Sequence, residues 1–443
     1  MALAKAPDGV DLRFAVQQID GRQRARTKLP SLAANFEVIF PVHLSVEQCS
    51  SEVTADYKKE ILARRLPPKR SLLIDLTGGF GIDFMALSPL FEKAVYVERN
   101  EELCQIAAHN FKTLGISNAE IINGEAETVV QDLTLPPSSS PNAASVTFFI
   151  DPARRSSSGS RTFAISDCTP DVTALMPRLK ELGGLLFLKL SPMLDWHKAV
   201  DDMENCGVNV EEVHIVAVKN ECKELLLLVN LSEDGRHDTR LFCKNDGVVV
   251  DPPLTPKAPL DPPLRGEGEN FKVSAECGLQ KVSSECGLQN VSSECGLQKV
   301  TIHSSPPVGG VRGGSWSRSG CFLLLPNAAL MKAGCWDFIA RRYGVRQADA
   351  NSHLFFSDTV VADFPGKQYQ ILAVSSLNKK ELREALQGVT QANIAVRNFP
   401  LTAEALRKRL KLKEGGDTYI FGTTIDGETK VVVAKSHPQQ PHP

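Results

Sequence analysis

Apolar residues recur along this chain with two different periods, and the change between them divides it. Up to about residue 68 the spacing is helical. Val46, Cys49, Val53, Tyr57 and Ile61 would line one side of a helix, and Ser45-Val46-Glu47-Gln48 reads as a capping box at its start. From residue 69 to about 230, short unbroken apolar runs alternate with amphipathic stretches, which predicts a parallel sheet with helices on both faces. Strands are expected over 72–76, 94–97, 119–123, 146–150 and 184–190, with helices over 82–87 and 101–114. Residues 213–218 and 224–229 predict an antiparallel hairpin that closes the sheet.

The pattern breaks over about 250–315, which is rich in Pro, Gly and Ser. A nine-residue unit recurs there as VSAECGLQK, VSSECGLQN and VSSECGLQK, starting at Val273, Val282 and Val291. The Gly in each copy opposes a long helix, so this segment is expected to be a disordered insert. Its regularly spaced thiols have no histidines beside them and make poor metal-ligand geometry, so no metal is expected. Beyond it a strand at 321–325, a helix within 327–343 and extended chain to 363 are expected. Strands at 368–374, 393–397, 418–423 and 430–434 with helices at 379–387 and 402–411 complete the chain. The domains read as 1–68, helical; 69–230, sheet; 231–363, interrupted by the insert; and 364–436, a small α+β unit.

Composition narrows the class. The 443 residues are 42% hydrophobic and 23% charged with a formal net charge of −2, which gives room for two or three domains and no global electrostatic pull toward nucleic acid. The N-terminus lacks an apolar core and no stretch has the length of a membrane span, so a cytoplasmic protein without a membrane partner is expected. Eleven cysteines, an odd number without CxxC spacing, fit reduced thiols. Two basic clusters stand out locally, Arg13 with Arg22, Arg24, Arg26 and Lys28, and Arg407, Lys408, Arg409, Lys411 and Lys413. Each is either a solvated face or a surface for RNA phosphates.

The chemistry concentrates at SLLIDLTGGFGID, residues 71–83, where a buried strand runs through a glycine turn into a helix. Gly78, Gly79 and Gly81 permit backbone that a side chain would block. A P-loop would require Gly-Lys-Ser/Thr, which is absent. A dinucleotide turn would have a small residue where Phe84 stands, and Asp83 would repel its pyrophosphate. S-adenosylmethionine has no phosphate and carries cationic groups, so Asp75 and Asp83 suit it. Glu98, about 20 residues beyond the turn, is placed to accept ribose hydroxyls, and Glu125 after the third strand to accept an adenine amine. Asp151, in the DPARR run after the fourth strand, falls at the switch point beside Gly81. Lys189 ends the fifth strand in an otherwise apolar run and needs a carboxylate or open water. Cys168 is the thiol nearest Asp151 in sequence, with no local motif to activate it.

These segments resemble the bacterial THUMP-like class I S-adenosylmethionine-dependent methyltransferases. The matching stretches are KLPSL, SVEQCSSEVTADYK, DLTGGFGID, FIDPARR, LKLSPMLD, NECKELL, LPNAALMKAG, NSHLFFSD and RNFPLTAEALRKRLKLKEGGDTYIFGTT. The resemblance implies a helical N-terminal region, a Rossmann-like seven-stranded methyltransferase sheet ending in a reversed strand, a ferredoxin-like α+β region and a small THUMP-like domain. It implies S-adenosyl-L-methionine as cofactor, with Asp75, Thr77, Gly78, Gly79, Gly81, Asp83, Glu98 and Glu125 around it, and Thr77 in place of the usual first glycine. Asp151 matches the motif that faces the methyl group, but Ala153 and Arg154 replace the second proline and aromatic of base-amine methyltransferases. Ribose 2′-O-methyltransferases resemble the chain in a charge pattern carried here by Asp151, Lys189, Glu224 and Lys58, in which a lysine of lowered pKa would deprotonate a hydroxyl. The expected function is methyl transfer to structured RNA, tRNA or rRNA. A small-molecule methyltransferase and a non-catalytic RNA-binding protein are the alternatives.

Overall fold

The computed structural model describes residues 11–65, 71–135, 146–154, 165–231, 238–252 and 321–437. The repeats and almost all of the insert expected at 250–315 lie outside the described residues, as does Arg155 of the DPARR run.

The apolar runs form the expected strands. β1 (Leu72–Asp75), β2 (Lys93–Glu98), β3 (Ala119–Asn123), β4 (Val146–Ile150), β7 (Leu185–Leu190), β8 (Asn209–Val218) and β9 (Glu221–Asn230) build the core of one sheet. A two-residue ladder of β5 (Ala153–Arg154) and β6 (Cys168–Thr169) lies apart from it. β10 (Arg240–Asn245) and β11 (Val248–Val250) extend the sheet beyond β8, in the order β11-β10-β8-β9-β7-β4-β1-β2-β3. The β8–β9 hairpin is therefore internal and does not close the sheet. Residues 240–250 belong to this sheet and not to the ferredoxin-like region expected from 231 onward. β9 runs antiparallel to both β7 and β8, while β3, β2, β1, β4 and β7 are mutually parallel.

Alternate residues of β4 show how the sheet is covered. Phe148 and Ile150 join a core that includes Leu186, Leu188, Leu225 and Leu227, under helices α8 (Val172–Leu182) and α9 (Trp196–Glu204). Phe149 faces the other core with Phe187, Tyr96 and Leu226, under α5 (Ile82–Leu87) and α6 (Glu101–Thr113). α7 (Ala126–Asp132) follows β3.

The N-terminal region supplies α1 (Leu12–Lys28), α2 (Pro30–Ala34), α3 (His43–Gln48) and α4 (Glu52–Arg65). The single stripe expected through Val46 and Ile61 is divided between α3 and α4. Ser45 sits inside α3, whose N-cap is Val42, so it caps nothing. The reciprocal cap belongs to α4, where Thr54 N–H donates to the Ser51 hydroxyl at 3.3 Å and Ser51 N–H donates to the Thr54 hydroxyl at 3.2 Å. The bend between these helices turns Ser50 inward, where it is buried, and leaves Val53 exposed.

Residues 321–437 form a second, seven-stranded sheet. Its strands are β12 (Phe322–Pro326), β13 (Arg346–Gln347), β14 (Phe355–Ser357), β15 (Gly366–Ser375), β16 (Asn393–Arg397), β17 (Thr418–Ile425) and β18 (Glu428–Ser436), ordered β13-β14-β12-β15-β18-β17-β16. α10 (Ala328–Ala333), α11 (Trp336–Tyr343), α12 (Lys379–Ala385) and α13 (Ala403–Leu410) accompany it. α10 is fixed to the first sheet by named bonds. Ala328 N–H donates to Asn220 Oδ1 at 2.8 Å, Lys332 Nζ to the Leu194 carbonyl at 2.7 Å, and Trp196 Nε1 to the Ala333 carbonyl at 3.3 Å.

Candidate functional site

A cavity of about 680 Å³ opens beyond the carboxyl ends of β1 and β4, where the sheet order reverses. Its floor is the glycine turn. A Cβ on Gly78 would lie 2.2 Å from the Tyr96 ring, and Gly81 holds φ +84° as the N-cap of α5, so both positions require glycine. The Tyr96 hydroxyl donates to the Gly79 carbonyl at 2.5 Å and closes the turn from beneath.

The acids of the turn have distinct places. Asp75 is buried and accepts Thr77 N–H at 2.9 Å, and burial raises its pKa well above the ordinary carboxylate range. Glu98 Oε2 accepts Gly79 N–H at 2.8 Å and its Oε1 accepts Asn100 N–H at 2.8 Å, so both oxygens keep lone pairs for further donors. Glu125 is exposed on the cavity rim as the N-cap residue of α7. Thr77 has a role that its place in the turn did not suggest. Its hydroxyl accepts Asp151 N–H at 2.7 Å and ties the turn to the end of β4.

Five charged side chains meet beside this turn. Asp151 Oδ2 accepts from Lys189 Nζ at 2.6 Å, and Glu224 Oε2 accepts from Lys58 Nζ at 2.6 Å. Asp83 lies between the two lysines, 3.0 Å from Lys58 Nζ and 3.4 Å from Lys189 Nζ. Ser50 completes the group: its hydroxyl donates to Asp83 at 2.7 Å or to Glu224 at 3.1 Å, and accepts from Lys58 at 3.2 Å. Lys58 is fully buried, whereas 37% of the Asp151 side chain remains exposed and lines the cavity.

The charge states follow from this packing. Burial acts to lower the Lys189 pKa, but Asp151, Asp83 and Glu224 outweigh it and raise the value well above that of an ordinary lysine. The expectation of a lysine with lowered pKa is thus overturned, because more carboxylates surround this ammonium than the sequence pattern counted. Burial raises Asp151 despite the opposing pull of Lys189. Burial would raise Asp83 too, but Lys58, Lys189 and the Ser50 hydroxyl hold it down at about 2. Asp83, expected at the cofactor, has lysines as its partners. Ser50 was missed because a single helix was expected to run through the Ser50-Ser51 pair.

Other candidates lie elsewhere. Cys168 is buried in β6 and does not line the cavity. In the N-terminal basic cluster, Arg22 donates to carbonyls of the 33–38 loop, Arg24 pairs with Asp20 and Glu47, and Lys28 donates to the Val46 and Glu47 carbonyls. In the C-terminal cluster Arg407 donates to the Ala392 carbonyl and Arg409 to the Leu377 carbonyl, while Lys408, Lys411 and Lys413 are exposed.

Known proteins resemble this chain in sequence and in fold. Residues 366–436 match a THUMP domain-like family model, and residues 322–365 match a ferredoxin-like domain model. A solved protein of Porphyromonas gingivalis W83, assigned as a methyltransferase, matches over 98% of this chain and 93% of its own at 25% identity and a TM-score of 0.68. A Streptococcus mutans protein assigned as a methyltransferase and solved with SAH matches 40% of this chain and 96% of its own, at 19% identity and a TM-score of 0.28. An rRNA methylase of Streptococcus thermophilus matches 41% of this chain and 97% of its own, also at 19% identity and a TM-score of 0.28. Curated protein sequences give no match.

The sheet and the glycine cradle have the class I methyltransferase fold. Its ferredoxin-like and THUMP-like segments, together with the match to the Porphyromonas gingivalis protein, support the THUMP-like methyltransferase family. The donor set fits S-adenosylmethionine: Gly79 N–H is already given to Glu98 and so is withheld from a phosphate, while Asp151, Glu98 and Glu125 suit a cation and a ribose.

Proposed function

We propose that this protein transfers the methyl group of S-adenosylmethionine to structured RNA, with Asp151 as the group that receives the acceptor's proton. One observation carries the assignment to Asp151. In a cluster whose other four charged side chains are at most 10% exposed, it alone opens substantially onto the cavity.

The cofactor supplies an electrophilic methyl carbon on a cationic sulfur. The residues of the chain do the rest. Glu98 orients the ribose through its free lone pairs, and Glu125 meets the adenine amine. Asp151 accepts the proton from the acceptor atom as that atom takes the methyl group, and the raised pKa makes its carboxylate a better base than an exposed aspartate. Lys189, held protonated by its three carboxylates, fixes the Asp151 carboxylate in place. Lys58 and Glu224 hold the inner end of the cluster. In this reading the lysines position and Asp151 reacts, so a hydroxyl acceptor is handled without a neutral lysine.

RNA as the acceptor rests on the THUMP-like segment and on Lys408, Lys411 and Lys413, three exposed cations at the end of α13 that have no carboxylate partner among the described residues. The test is mass spectrometry of nucleosides from total RNA of cells with and without the gene. Loss of one methylated nucleoside, restored by the wild-type gene and not by Asp151→Asn, is the expected result. An unchanged nucleoside spectrum overturns RNA as the substrate.

A further inference from the structure

Two ion pairs would have balanced this cluster, Lys58 with Glu224 and Lys189 with Asp151. Asp83 is a fifth charge with no third lysine to match it. It is buried between the two ammonium groups. Its Oδ1 forms the Lys58 ion pair without a hydrogen bond. Both lysines face it, and together with Ser50 they keep it ionised at any neutral pH. The cluster therefore sets three carboxylates against two ammonium groups. An uncompensated charge away from water is unfavourable, and nothing in the two pairs requires a third acid. The surplus faces the cavity, which Asp83 and Asp151 both line, and it opens most widely through Asp151. A cation resting there completes the balance, and a neutral molecule of the same shape does not.

We propose that Asp83 sets the cofactor preference of this site, by giving the cluster a surplus negative charge that holds cationic S-adenosylmethionine and releases the neutral S-adenosylhomocysteine left after transfer. The proposal rests on the cofactor reading above. It makes Asp83 a specificity-determining residue that acts through the cluster without reaching the acceptor. Methyl transfer itself then removes the charge that held the cofactor, so turnover loosens the product.

Calorimetry on the full chain tests this with three probes: S-adenosylmethionine, S-adenosylhomocysteine and sinefungin, whose amine puts a positive charge near the sulfonium position. The wild-type protein is expected to bind both cationic molecules about tenfold or more tightly than S-adenosylhomocysteine. Asp83→Asn, which leaves both ion pairs in place, is expected to lose that preference by weakening the cations about tenfold while the neutral product stays within about twofold. Wild-type protein that binds all three without favouring the cations overturns the proposal and leaves the cofactor assignment standing. Equal weakening of all three in Asp83→Asn also overturns it. If none of the three binds, the cofactor assignment fails and the proposal fails with it. Should Asp83→Asn not fold, the wild-type preference alone decides.

Discussion

The glycine cradle and the lysine–carboxylate cluster share one cavity but are built in opposite ways. The cradle is local. Its defining contacts, Gly78 on Tyr96, Gly79 on Glu98 and Thr77 on Asp75, join residues at most 19 positions apart within one strand–helix–strand unit. The cluster draws Ser50 and Lys58 from the helical N-terminal region, Asp83 from α5, Asp151 from just after β4, Lys189 from β7 and Glu224 from β9, and its longest hydrogen bond spans 174 positions. The cradle depends on shape, and a wrong side chain there produces a clash. In the cluster the deciding quantity is the sum of charges, so a lost side chain leaves an unpaired ion.

That contrast can be broken most decisively at Asp151. Asp151→Asn keeps the backbone bond to Thr77 and is expected to lower methyl transfer about 100- to 10,000-fold, the range for loss of a proton-transfer group, with cofactor affinity changed far less. Activity close to wild type would reduce the cluster to scaffolding. The next largest effect falls on stability. Lys58→Met takes from Glu224 its paired ammonium and leaves Asp83 with Lys189 alone, and is expected to cost about 3–5 kcal/mol in denaturant unfolding. Gly78→Ala in the cradle, which drives a methyl group into the Tyr96 ring, is expected to cost about 1–3 kcal/mol. If the glycine variant proves the more damaging, the cradle rather than the cluster anchors the site.

A smaller effect distinguishes two acids by the sign of their pH dependence. Asp83 is depressed from 3.8 to about 2, so its contribution to stability is complete above 3.8 and is lost as pH falls toward 2. Asp75 is shifted upward from 3.8, so its cost grows as pH rises above 3.8 and levels off beyond its folded pKa. Asp75→Asn keeps an oxygen for Thr77 N–H and is expected to stabilise the protein at neutral pH by about 1–3 kcal/mol, with no gain near pH 3. Thermal unfolding at both pH values checks this, and a loss at neutral pH would show that the Asp75 charge is needed where it lies.

Much of the fold is legible in the sequence because its signals are periodic and short-ranged. The runs around Ile74, Tyr96, Phe148 and Leu188 mark strands without reference to anything else, and Gly81 marks the turn through its own backbone. What misled was continuity. The stripe from Val46 to Ile61 looks like one helix, since nothing in a helical period records a bend, yet Ser51 and Thr54 cap a second helix in the middle of it. The hairpin at 209–230 likewise reads as the end of the sheet, because the pairing of Arg240–Asn245 with β8 is a long-range parallel match with no turn signal to announce it.

The sequence by itself determined the class of this protein: the strands, the glycine turn and the acid after each strand follow from residue type and local spacing. Tertiary structure alone decided the electrostatics of the site. It put Asp83 against two lysines at the cavity wall, brought Ser50 between two carboxylates, and surrounded Lys189 with carboxylates that hold its proton. The physical reason is that a protonation state is a sum over every charge within a few ångströms, and those neighbours, drawn here from residues 58 to 224, are chosen by packing and not by position along the chain.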